Sequence, residues 1–169
     1  ATTTVSSSDL DVTGEVTGES ISITGTDSVT DKNVGSGKII NISGLSLSNG
    51  SHSASNYTIG TTSFAITRRN LSISGEKVYD GTGTVLASQI DTINTAGGET
   101  LTISGEGSVS LPSVGTNKSI TLNTLGISDG TNGTIGLASN YTLDSGSFDI
   151  TAKPITLSGS RQYDGTTNV

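Results

Sequence analysis

Apolar and polar residues alternate along this chain in short runs. Leu71 and Ile73 alternate with serines towards Gly75 and Val78, the two-residue period of a strand with one buried face. Tyr79-Asp80-Gly81-Thr82 then breaks the run as a turn, since the aspartate can accept backbone N–H bonds and the glycine can take a positive φ. The apolar positions of 85–93 fit either a short helix or an irregular strand. Residues 99–111 alternate through Leu101, Ile103, Val109 and Leu111, with Gly105 predicting a bulge or bend and Pro112 an end. Residues 118–128 alternate through Ile120 and Leu122, then Leu125 and Ile127, a phase slip that predicts a second bulge. Residues 140–150 contribute Tyr141, Leu143, Phe148 and Ile150. The pattern therefore predicts four long strands, a variable segment after the first, and no amphipathic helix.

The same pattern occurs twice. Ile66–Thr82, ITRRNLSISGEKVYDGT, recurs 84 residues on as Ile150–Thr166, ITAKPITLSGSRQYDGT. Asn56-Tyr57-Thr58 recurs at this offset as Asn140-Tyr141-Thr142, and Phe64 as Phe148. Further upstream the offset is 80: Glu19–Gly25 matches Glu99–Gly105, Val34-Gly35 matches Val114-Gly115, and Lys38 matches Lys118. The difference is a four-residue insertion between Gly130 and Ser139, where a surface loop is expected. The aromatics pair off as Tyr57 with Tyr141, Phe64 with Phe148 and Tyr79 with Tyr163, which predicts that each anchors the core of its unit.

Ala1–Val5 matches Gly81–Val85, so the sequence divides into 1–67, a unit without its first strand, 68–151, a complete unit, and 152–169, the first strand of a third. A segment of a longer array, or a product cut out of phase with its domains, is the expectation. With almost no linker between copies, the expected architecture is all-β: elongated β-rich units, of small-sandwich or β-grasp-like kind, joined end to end into a rod.

Composition narrows the function. Only 30% of residues are hydrophobic, so each unit has a thin core. The net charge of −7 argues against nucleic acid and anionic membranes, and no apolar run is long enough to span a bilayer. A chain free of Cys and Met and rich in Thr, Ser and Gly suits an exported bacterial surface protein.

Candidate chemistry is sparse. His52 is the single histidine and has no counterpart in the second copy, so a nucleophilic triad has no repeated base, and no enzymatic activity is expected. The run from Asp129 to Gly133 lacks the ligand spacing of a calcium loop and reads as a turn, while Asp80 and Asp164 read as turn-capping carboxylates. No metal or other cofactor is expected. Lys38 and Lys118, among abundant asparagines, raise a Lys–Asn crosslink against the plainer reading of exposed strand lysines. The many Asn-x-Ser/Thr matches follow from composition.

Taken together, Ile-Thr-x-(Lys/Arg)-x-(Leu/Ile)-x-(Leu/Ile)-Ser-Gly, Tyr-Asp-Gly-Thr, Val-Gly-x-x-Lys and Asn-Tyr-Thr resemble the YDG-type repeats of bacterial filamentous-haemagglutinin-like adhesins, many of them exported by two-partner secretion. The resemblance covers the whole chain. It implies an extracellular repeat in the stalk or adhesive region of a large surface protein. Tyr79-Asp80-Gly81 and Tyr163-Asp164-Gly165 would be the signature positions, and Asn56-Tyr57 and Asn140-Tyr141 the second motif.

The function expected is a stalk or filament module in adhesion or biofilm matrix. Its partners would be neighbouring repeats, and identical chains where residues 153–169 of one molecule add as a strand to residues 1–67 of the next. The alternative is a module that binds exopolysaccharide or host glycan.

Overall fold

The computed structural model describes residues 3–60, 63–92 and 94–167. Ala1, Thr2, Ile93, Asn168 and Val169, to which parts of the sequence reading apply, lie outside them. The chain is mostly β-strand, with no α-helix among the described residues and five single 3-10 turns. The first copy carries β1 (Thr4–Ser6), β2 (Ile21–Ser28), β3 (Gly35–Lys38), β4 (Leu45–Asn49) and β5 (Phe64–Ile66). The second carries β6 (Arg69–Val78), β7 (Thr84–Leu86), β8 (Ile90–Thr92), β9 (Leu101–Ser104), β10 (Glu106–Val109), β11 (Gly115–Thr121), β12 (Gly126–Asp129) and β13 (Tyr141–Thr151).

The largest sheet has the order β7-β10-β11-β13-β6-β8, and smaller sheets are β1-β2-β4, β12-β9 and β3-β5. β6 and β13 run parallel, while every other strand pair is antiparallel. In β6 the buried face is Leu71, Ile73 and Lys77, whereas Val78 turns outward, so the run keeps its period through a lysine.

Of the four long strands predicted, β6 and β13 form at 10 and 11 residues, whereas the two runs between them each divide into shorter strands. Residues 84–92 resolve into β7, a 3-10 turn over Ala87–Gln89 and β8. The run over 99–111 divides at Gly105 into β9 and β10, which pair with different neighbours. Gly105 has φ +88°, and a Cβ there would stand 2.0 Å from the Thr124 carbonyl oxygen. The slip within 118–128 is a turn between β11 and β12 rather than a bulge, with Asn123 at φ +48°. A bulge does occur, one step earlier, between Gly115 and Lys118.

Two hydrophobic clusters form, and the first maps onto part of the second. The second copy packs Ile73, Val85, Val109, Ile120, Leu125, Phe148 and Ile150, with Ala87, Ile90, Ile103, Leu122 and Leu143 against them. The first packs Val5, Val29, Ile40 and Leu45, with Leu10, Ile23, Ile59, Phe64 and Ile66 against them. Every member of the first sits 80 or 84 residues before a member of the second. The second cluster has three members more, Ile73, Ala87 and Leu122, and of its buried members Ile73 alone has no counterpart in the first. Phe148 is fully buried, whereas Phe64 is only half-buried.

Candidate functional site

The Tyr-Asp-Gly turn is built by local bonds. The Asp80 carboxylate accepts the Thr82 N–H at 2.8 Å and the Thr82 hydroxyl at 2.9 Å, while Gly81 takes φ +85°. The Lys77 ammonium, buried at the end of β6, closes the turn on Asp80 Oδ1 at 3.0 Å and donates to the Thr84 carbonyl at 2.7 Å. Residues 153–167 have no strand partner, yet the turn recurs there. Asp164 accepts the Thr166 N–H at 2.9 Å, Gly165 takes φ +79°, and Arg161 replaces Lys77 as the cation on Asp164, 3.1 Å away. Asp80 and Asp164 are turn-capping carboxylates, as their spacing predicts.

The Thr82 backbone N–H, then Lys77, hold the Asp80 carboxyl down to about 2, from 3.8. A depressed folded-state value adds stability above pH 3.8, and this is lost as pH falls through about 2. Asp80→Asn is therefore expected to lower the melting temperature near neutrality and to flatten its fall between about pH 4 and pH 2, measured by thermal unfolding across that range.

The aromatic positions are not all core anchors. Tyr141 and Phe148 are buried and Tyr57 is half-buried, but Tyr79 is 40% exposed and Tyr163 91% exposed. Tyr79 serves through its backbone, its N–H donating to the Thr151 carbonyl at 2.9 Å.

The second motif does two tasks. Tyr141 donates its hydroxyl to Glu99 Oε2 at 2.7 Å and receives the Ala96 N–H at 3.1 Å. Tyr57 repeats this with Glu19 at 2.6 Å and the Val16 N–H at 3.2 Å. Each tyrosine clamps the loop that leads into β2 or β9 (its hydroxyl as both donor and acceptor). The pairing escapes sequence reading because it joins residues 42 or 38 apart, though each partner recurs in both copies.

Asn140 reaches instead to the first copy, accepting the Val34 N–H at 2.9 Å and donating to Asn33 Oδ1 at 2.8 Å. Beside it Lys32 donates to Glu99 Oε1 at 2.6 Å, and Arg68 to the Ser139 carbonyl at 3.2 Å. The Lys32 ammonium and the Tyr141 hydroxyl hold the Glu99 carboxyl below its ordinary range against the opposing effect of burial, and burial and Glu99 push the Tyr141 hydroxyl up. Asn56, the counterpart of Asn140, is exposed, as is Val114, the counterpart of Val34.

Lys38 and Lys118 are half-buried rather than exposed, and Lys38 pairs with Asp31 at 2.8 Å, not with an asparagine. In the loop after β4, Ser51 Oγ lies 2.9 Å from His52 Nδ1, and His52 Nε2 is 3.8 Å from Glu19 Oε1. Ser51 Oγ also receives the Ser20 N–H at 2.9 Å, so the cluster ties two loops together. Among the described residues no group of three or more acidic or histidine side chains is placed to hold a metal, and no helix is long and apolar enough to cross a membrane.

A groove of about 580 Å³ lies in the first copy, lined by residues 9–15, 57–60 and 63–65 together with Ile21, Ile23 and Leu47. In the second copy the corresponding position, between β8 and β13, is filled by β6.

A family model described as the YDG domain matches the chain twice, over residues 1–64 and 67–148. No curated protein and no solved structure matches it. Two copies of the turn, two copies of the Tyr–Glu clamp and two matches spanning most of the sequence lead to one conclusion: the chain belongs to the YDG domain family.

Proposed function

We propose that this chain is a structural module of a large bacterial adhesin or biofilm-matrix protein of the filamentous-haemagglutinin-like kind, exported to the cell surface, with its YDG repeats standing end to end as a stalk. The observation that carries the reading is the contact of Asn140 and Glu99 in one copy with Val34, Asn33 and Lys32 in the other. These bonds join one copy to the other with no spacer between them; the exposed counterparts Asn56 and Val114 could repeat only the amide-to-backbone bond, since Pro112 and Ser113 stand where Lys32 and Asn33 do. The role needs no catalytic group and no cofactor.

Nuclear-spin relaxation of the whole chain tests it. One rotational correlation time for both copies is expected, and Asn140→Ala combined with Lys32→Ala should let the copies tumble separately. Independent tumbling in the unaltered chain would overturn the stalk.

One observation favours a second reading, a glycan-binding module. Tyr79 and Tyr163 present exposed rings, and sugars stack on aromatic faces. A saturable hit on a glycan array that is abolished by Tyr79→Ala would reverse the ranking. The stalk reading expects no such hit.

A further inference from the structure

We propose that the open groove of the first repeat is a docking site for a strand, and that its occupant is the tail of a second copy of this chain, residues 153–162, added in the register that β6 holds in the second repeat. The contact is independent of the extracellular role proposed above, since the chain could make it in any compartment.

The second repeat shows what the groove holds when filled. There β6 lies parallel to β13 and antiparallel to β8, pairing Phe148 with Gly75 and Gly75 with Ile90. Its Leu71 and Ile73 are 0% and 2% exposed. In the first repeat the flanking backbone is left without these partners. Residues 57–60 and 10–12 are not strands, although their counterparts belong to β13 and β8. An unpaired edge beside an apolar trough is a template for strand addition.

The tail carries the complementary sequence. At the offset of 84 its Ile155 stands for Leu71, Leu157 for Ile73, Gly159 for Gly75 and Arg161 for Lys77. Ile155 and Leu157 are 82% and 87% exposed, more than any other Ile, Leu or Val among the described residues. Leu157 stands for Ile73, the one buried member of the second cluster that has no counterpart in the first. The turn that ends the donor strand is already formed, through Asp164 and Thr166.

Gly159 makes the register specific. In β6 a Cβ on Gly75 would lie 1.9 Å from the Gln89 carbonyl oxygen and 3.1 Å from the Phe148 ring. The docked Gly159 would meet the carbonyl of Asp9 and the ring of Phe64 in the same way. In the free tail nothing lies within 4 Å of Gly159. The contact joins a tail to a groove at different places on the molecule, so it is heterologous, and repeating it gives an open head-to-tail filament.

Light scattering of the full chain over a concentration series tests the proposal. Particle mass is expected to rise above 17.0 kDa towards higher multiples. Gly159→Val and Leu157→Asp should each weaken association about tenfold or more without altering the circular dichroism of the dilute protein. Thr156→Ala, at the position of the outward-facing Ser72, should associate like the unaltered chain. A 17.0 kDa particle at every concentration would overturn the proposal and assign the groove to a strand from outside this sequence. Association indifferent to Gly159→Val would overturn it as well, by placing the contact on another surface.

Discussion

Gly75→Val is expected to unfold the second repeat, while the same change at Gly159, 84 residues on, leaves the dilute protein as stable as before. The obstacle at Gly75 is backbone: the carbonyl oxygen of Gln89 lies 1.9 Å from where a Cβ must go, and its carbon 2.9 Å away. A flexible side chain could swing aside, but Gln89 is held between β7 and β8 and its amide accepts the Leu86 N–H at 2.9 Å. Overpacking against a mobile neighbour costs about 1–3 kcal/mol, and a fixed backbone puts this substitution at or above the top of that range. At Gly159 the open surroundings and a backbone without a positive φ predict a change within about 0.5 kcal/mol. Thermal unfolding of the two variants at micromolar concentration measures both. Equal melting temperatures would show that β6 does not pack as described.

The second large effect is at Phe148. Its ring is fully buried, and Phe148→Ala removes it from a core of few large side chains. The expected loss is about 3–5 kcal/mol, the transfer of the ring plus the cavity left behind. The counterpart Phe64→Ala should cost only about 1–2 kcal/mol, because the half-buried ring already borders the open groove and leaves no closed void. Urea unfolding followed by circular dichroism separates these outcomes. Similar losses at both positions would mean that the first groove is closed in solution.

Much of this architecture is legible in the residues. The alternation of Leu71 and Ile73, the break at Gly105 and the two repeat offsets each correspond to a feature of the fold, because each is a local consequence of strand period or of a φ that only glycine readily adopts. The failures share a different cause. Leu122 and Leu125 look like one strand with a bulge, since apolar spacing records burial and not which sheet a residue enters. Tyr79 looks like a core residue because it repeats, but what repeats there is a backbone bond to Thr151 and a turn. The Glu99–Tyr141 clamp and the burial of Lys77 depend on partners brought together by tertiary structure, to which periodicity is blind. Lys77 could have been found: it occupies the inward phase of its strand and is followed three residues later by Asp80.

The turn formed by Asp164, Gly165 and Thr166 stands complete outside any sheet. Its bonds span two to five residues, so closing it costs little chain entropy. The parallel pairing of β6 with β13 instead joins Arg69 to Tyr141 across most of a repeat, the kind of distant contact that slows folding. Chain topology thus predicts an order of folding for residues 68–151: the signature turn can close on its own and mark where its strand stops, while the strand gains its parallel partner only once the last segment of the repeat is in place.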